Sequence, residues 1–215
     1  MRKYIFSVLI ALLSLPVIAQ QQQSQASVVL DRTAESFRKA GGIQAEFTVK
    51  AYNNGRYEGE STGTIQLKGE KFMVKTPEAV TWFDGKTQWT YLENSDEVNV
   101  STPTPEELQS INPYALLYMY KNGFTAKLGT VNTFQGKPVT QVILTAIDRK
   151  QELACIVLYI AKDTYQPLYI LLQQKNLKSR SEVFINSYRA GLNYADSNFV
   201  FDRKQYPNAE VIDLR

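Results

Sequence analysis

Catalysis needs particular side chains at particular spacings, and this 215-residue chain is sparing with them. It contains no histidine, which excludes imidazole-activated serine or cysteine nucleophiles and imidazole metal ligands. Its one cysteine, Cys155, can form neither an internal disulfide nor a cysteine-cluster zinc site. That residue lies in the apolar run Leu153-Ala154-Cys155-Ile156-Val157-Leu158, which reads as a strand holding a buried structural thiol. Three carboxylate pairs could act as general acid and base: Glu58/Glu60, Glu106/Glu107 and Asp96/Glu97. Each has a sufficient structural role. The first pair shares the polar face of a strand, the second opens a helix and the third sits in a turn. Asp84-Gly85-Lys86 also reads as a turn, because the alternating acids and distal Glu of a calcium loop are missing. No glycine-rich phosphate loop is present. These residues predict no enzyme and no cofactor.

The elements around them follow from periodicity. Val28, Leu30, Ala34, Phe37 and Ala40 have helical spacing, which predicts a helix over 28–40 closed by Gly41-Gly42. Strict alternation begins next, with Ile43, Ala45, Phe47, Val49 and Ala51 on one face. Asn53-Asn54-Gly55 is a hairpin signal, and the returning strand puts Tyr57, Gly59, Ser61, Gly63, Ile65 and Leu67 on one face. Further strands read as 72–76, 79–83, 87–92 and 97–101. Thr104-Pro105-Glu106-Glu107 carries an N-cap Thr, Pro at the first helical position and Glu three residues after the cap. Asn112-Pro113 starts a second short helix that ends at Gly123. Strands resume at 124–131, 137–147, 153–161, 168–176 and 181–189, with a short final one around Phe199–Phe201. Parallel α/β folds need a helix between successive strands, so they are excluded. The reading is a mostly β (α+β) single domain: one curved antiparallel sheet of about eleven strands, an N-terminal helix, and a short helical segment on the concave side.

The first 19 residues read as an export signal. Arg2 and Lys3 precede an apolar run from Tyr4 to Leu15, and Val17 and Ala19 give the small-residue cleavage pattern. The run is too short for a membrane span, which needs about 20 residues. The domain is then 20–215, soluble, and without a cysteine at its start to be acylated. Cleavage leaves 22 basic against 21 acidic side chains. No Lys/Arg run exceeds two residues, so no basic stripe for nucleic acid exists.

The chain does have apolar surplus. Trp82, Phe83, Trp89, Tyr91, Tyr114, Tyr118, Met119 and Tyr120 cluster in its middle third, and Leu153–Ile160 and Leu168–Leu172 are almost wholly apolar. Two readings fit: a core between sheet and helices, or the lining of a cavity, since ligand cavities are mostly apolar.

Several motifs resemble the periplasmic outer-membrane lipoprotein carriers of the LolA type. Ala45-Glu46-Phe47-Thr48 follows the first helix, and Thr64-Ile65-Gln66-Leu67-Lys68-Gly69 is similar to the family's next strand. Trp82-Phe83-Asp84-Gly85-Lys86-Thr87-Gln88-Trp89-Thr90-Tyr91 resembles its DGKT-x-W-x-Y hairpin. Asn112-Pro113 with Leu116-Leu117 looks like the start of its lid, and Phe199-Val200-Phe201 with Val211-Ile212-Asp213 like its end. Where the family often has Arg before Pro, this chain has Gly69-Glu70-Lys71, and the family's Gln after Phe-Thr is Val49.

The resemblance implies an incomplete barrel closed by helices, whose cavity receives lipoprotein acyl chains. With the apolar surplus, it makes Phe47, Val49, Ile65, Leu67, Trp82, Trp89, Leu116, Leu117 and Met119 the expected lining. The implied partners are acylated lipoproteins, an inner-membrane exporter, and an outer-membrane acceptor or lipid, served by a monomeric periplasmic shuttle. A binding protein for another lipid or glycolipid would use the same cavity, and a sensor domain with a packed core would have none.

Overall fold

The computed structural model describes residues 15–104, 107–108, 119–121, 123–148, 151–176 and 178–215. Among the described residues one long helix, α1 (Leu15–Lys39), precedes thirteen strands. These are β1 (Gly42–Asn53), β2 (Arg56–Lys68), β3 (Lys71–Lys75), β4 (Ala79–Phe83), β5 (Gln88–Leu92), β6 (Glu97–Ser101), β7 (Phe124–Leu128), β8 (Thr133–Phe134), β9 (Lys137–Ala146), β10 (Leu153–Ala161), β11 (Pro167–Gln174), β12 (Ser179–Leu192) and β13 (Glu210–Asp213). Twelve run in the order β13-β6-β5-β4-β3-β2-β1-β12-β11-β10-β9-β7, and β8 pairs with β9. Every pairing is antiparallel except β13 on β6.

Three expectations change. The helix begins at Leu15, well before residue 28, because the Gln- and Ala-rich stretch contains good helix formers and Pro16 falls in the first turn. Residues 196–199 form a 3-10 turn and no strand; the last strand is β13. Cys155 is only partly buried, because Ile156 and Leu158 take the inward positions beside it.

Local chemistry explains the turns. Asn54 and Gly55 both adopt positive φ, 51° and 76°, as a two-residue hairpin with right-handed strand twist requires. Asp84 Oδ1 accepts the amides of Lys86 and Thr87, both at 2.8 Å. Thr104 and Glu107 form a reciprocal capping box: each backbone amide donates to the other's side chain.

The core has two inner clusters and one outer. Ala26 and Leu30 of α1 pack with Phe124, Val142, Leu144, Ile156, Leu158 and Ile170. Ala34 and Phe37 pack with Ile43, Ala45, Ile65, Leu67, Phe72 and Phe83. Ala26 to Phe37 spans about 17 Å of helix. In a flat sheet the strands concerned, β4 to β7, would lie about 38 Å apart. The sheet therefore curls around α1 and stays open, with β13 and β7 at its ends.

The third cluster is on the opposite face. Val80, Trp82, Tyr91, Val98 and Val100 pack with Phe201, Tyr206 and Ala209 from the C-terminal tail. Farther along that face, Phe134 of β8 contacts Tyr159, Tyr169 and Phe184, with ring centroids 5.1, 5.4 and 6.4 Å away. Strands β10 and β11 are apolar beyond alternation because both of their faces are packed.

Candidate functional site

Residues opposite one another in a ladder share a face, so the register identifies the helix-side surface. Phe47 of β1 pairs with Ile185 of β12, and Val49 with Val183. Ile170 of β11 also pairs with Val183, and Leu172 with Ser181. Phe47, Val49, Leu172, Val183 and Ile185 are all half-buried, whereas the clusters on either side are closed. They form an apolar strip across β1, β12 and β11 that stays half-buried, although Leu172 and Val183 border the first cluster and Phe47 and Ile185 the second.

No charged side chain belongs to this strip. Lys50, Glu60 and Glu182 alternate with it and point to the other face, where Lys50 Nζ lies 3.8 Å from Glu60 Oε2. Beside the strip, Asn186 is an extra residue in β12 between the pairs Glu46–Ser187 and Phe47–Ile185. Its Nδ2 donates to Thr48 Oγ1 at 2.9 Å, which satisfies the bulge. A groove of about 530 Å³ opens there, lined by Phe47, Thr62, Gly63, Thr64, Lys75 and Pro77 among others.

The expected lining residues divide. Phe47 and Val49 lie on the strip. Ile65 and Leu67 share its face but are closed off in the cluster with Ala34 and Phe37. Trp82 and Trp89 pair with each other on the opposite face, in the cluster containing the tail's Phe201 and Tyr206. Leu116 and Leu117 lie outside the described residues. Met119 begins a 3-10 turn, and its side chain is likewise outside them. Sequence reasoning missed Leu172, Val183 and Ile185. Val183-Phe184-Ile185 is an unbroken apolar run, because Phe184 packs with Tyr169 on the other face, so alternation gave no signal there.

The 3-10 turn is anchored to α1. Tyr120 Oη donates to Asp31 Oδ1, and Lys121 Nζ lies 3.3 Å from the same oxygen. The Tyr120 hydrogen bond and the Lys121 ammonium hold the Asp31 carboxyl below its ordinary range. Near it, Arg32 Nη1 donates to Tyr165 Oη at 2.7 Å.

The carboxylate pairs keep structural roles. Glu107 caps, Asp96 accepts Tyr91 Oη at 2.9 Å, and Glu60 faces Lys50; Glu106 lies outside the described residues. Among the described residues no group of three acidic, cysteine or histidine side chains could hold a metal, and no helix is long and apolar enough to cross a membrane. The arrangement offers apolar contact.

Comparison with known proteins agrees with this architecture. An uncharacterized conserved protein from Thermus thermophilus superposes with a TM-score of 0.61 at 15% identity, covering 88% of this chain and 99% of its own. A DUF1329 family protein from Desulfovibrio piger gives 0.50 at 11% identity, covering 83% and 97%. A LolA superfamily protein from Nitrosomonas europaea gives 0.45 at 11%, covering 82% and 97%. At these identities the first two show a likeness of fold alone. No curated protein sequence matches the chain. The sequence profile of the outer membrane lipoprotein carrier protein LolA matches residues 15–176, and with most of its length so matched the chain belongs to that family.

Proposed function

We propose that this protein is a periplasmic, non-enzymatic carrier. It would hold the acyl chains of lipoproteins against the strip of Phe47, Val49, Leu172, Val183 and Ile185 and move them from the inner to the outer membrane. The observation that carries the reading is this incompletely buried apolar strip in the middle of an otherwise packed sheet face, in a member of a carrier family. Apolar side chains left partly in water are a standing cost, which an acyl chain relieves. Burying the chain contributes about 0.8 kcal/mol per methylene. The holding surface should therefore be apolar and incomplete, so that cargo can leave again.

The remaining parts follow from this reading. Residues 1–19 direct export, an inner-membrane exporter loads the carrier, and an acceptor or lipid of the outer membrane unloads it. The segment 104–122, most of which lies outside the described residues, acts as the lid. Its capped start at Thr104–Glu107 is fixed to the sheet by Leu108, which packs on the Ile43/Phe72 cluster. The test is made in cells. Depletion of the protein should leave outer-membrane lipoproteins in the inner-membrane fraction. Lipoproteins that still reach the outer membrane at the normal rate after depletion would overturn the proposal.

A further inference from the structure

We infer that the open edge of β2, residues Arg56–Gly63, takes up extended polypeptide of the cargo as an added strand. The inference rests on the carrier reading and extends it from the lipid to the chain attached to it. β2 has 13 residues, and β1 pairs with it along almost its whole length. On its other side β3 pairs only with Thr64–Lys68. Among the described residues no strand pairs with that side of Arg56–Gly63, a length of about 26 Å; the turn after β3 touches it only at its inner end, where Ser61 Oγ donates to Glu78 Oε2 at 3.2 Å. Such an edge presents a row of backbone N–H and C=O groups, and another strand satisfies that row.

Three observations favour polypeptide there. The edge is accessible: Arg56, Tyr57, Glu58, Glu60 and Thr62 are all exposed. The stretch carries guards of its own in Arg56, Glu58 and Glu60 and in the bulge opposite Ala51 and Tyr52, but it has no Pro to remove a backbone donor. Its Glu60 lies toward Lys50 of the neighbouring β1. The groove of about 530 Å³ begins where β3 ends, between Thr62–Thr64 and the Lys75–Pro77 turn, so an added strand has room to continue. Glu46 and Lys75 in that groove form no ion pair among the described residues and can meet charges on the incoming chain.

The edge also adjoins the strip. Gly63 pairs with Phe47 and Ser61 with Val49. A lipoprotein whose acyl chains lie on Phe47 and Val49 would bring its polypeptide out beside Ser61 and Gly63.

The test uses the full-length mature protein and a fluorescein-labelled decapeptide alternating threonine and lysine, without acyl chains, read by fluorescence anisotropy. Two further peptides carry N-methyl groups on alternate backbone nitrogens, one on the odd and one on the even positions. Strand addition predicts saturable binding that one methylated set weakens about tenfold or more and the other leaves intact, because alternate residues bond to the edge. Thr62→Trp, which fills the groove from an exposed position, should weaken peptide binding similarly with an unchanged circular dichroism spectrum. An apolar fluorescent probe measured on the same samples reports the strip separately. Failure of that probe to bind would sink the carrier reading, whatever the peptide does. No saturable peptide binding, or binding indifferent to which set is methylated, would overturn the edge inference while leaving the carrier reading in place.

Discussion

Lys68 Nζ donates to Asp196 Oδ1 at 2.8 Å and so ties the C-terminal tail to the end of β2. Lys71 Nζ lies 2.7 Å from the other carboxylate oxygen, and Lys68 also reaches the Tyr194 carbonyl at 2.8 Å. The Gly69-Glu70-Lys71 stretch thus supplies one of the two cations that hold the tail. Beyond this clamp the tail crosses the outer face and lays Phe201 and Tyr206 against Trp82, with centroids 5.7 and 5.6 Å apart.

The clamp should make stability depend on pH. Hydrogen bonds from Lys68 and then Lys71, with their charges, lower the Asp196 carboxyl from 3.8 to about 2. A depressed folded pKa stabilises above the unfolded value and loses that contribution as pH falls through the folded one. The clamp is solvent-exposed, so the effect is screened. The melting temperature of Asp196→Asn should fall below wild type at pH 6, and the gap should close between about pH 4 and pH 2. A gap that stays constant down to pH 2 would show that the carboxylate charge is not what holds the tail.

Trp82→Ala should damage folding and spare binding. Trp82 is buried at 7% exposure on the face away from the strip. Removing a buried aromatic costs about 3–5 kcal/mol. Denaturation should show a loss of that order, while the folded fraction keeps wild-type affinity for an apolar fluorescent probe. Reduced affinity at unchanged stability would instead place the cargo on the tail-covered face.

Val49→Ser combined with Val183→Ser should do the reverse. Val49 belongs to none of the three clusters and Val183 only borders the first, so the native state loses less packing than at a core site. A bound acyl chain would complete their burial and so gain about a third or less of the 1.5–3 kcal/mol for a whole valine, to which the desolvation of each new hydroxyl adds a cost. Probe affinity should drop by about tenfold or more with stability nearly retained. Equal affinities for variant and wild type would remove the strip from the binding surface.

Features set by neighbouring residues were legible in the sequence, and features set by distant ones were not. The Asn54-Gly55 turn, the Asp84 turn and the Thr104/Glu107 box each close within four residues, so side-chain type and spacing determine them. Alternation correctly put Phe47 and Val49 on one face with Ile43 and Ala45. It could not say which part of that face α1 covers, since Ile65 and Leu67 carry the same signal and are closed off. Both Trp82 and Phe83 are buried, so β4 has no polar face to orient it. The cover over Trp82 comes from Phe201 and Tyr206, more than a hundred residues later, and the parallel pairing of β13 with β6 is as remote. No local pattern encodes contacts of that range.

Gly63→Ala provides the last prediction, because it tests how closely the strip is fitted. Gly63 lies opposite Phe47 in the β1–β2 ladder. A Cβ added there would stand 2.5 Å from Phe47 Cζ and 2.7 Å from the Lys75 carbonyl oxygen. Favourable carbon contacts lie near 3.5–4.0 Å, so the ring must swing away or β3 must shift. The carbonyl belongs to the backbone and yields less easily than the half-buried ring. The methyl should therefore displace Phe47 and cost about 1–3 kcal/mol of stability as overpacking. With Phe47 displaced, the strip loses its aromatic end, and probe affinity in the folded fraction should fall. The double variant Gly63→Ala with Phe47→Ala removes the clash and should recover part of the stability while leaving binding weak. A double variant less stable than the sum of the two single changes would show that the methyl does not act through Phe47.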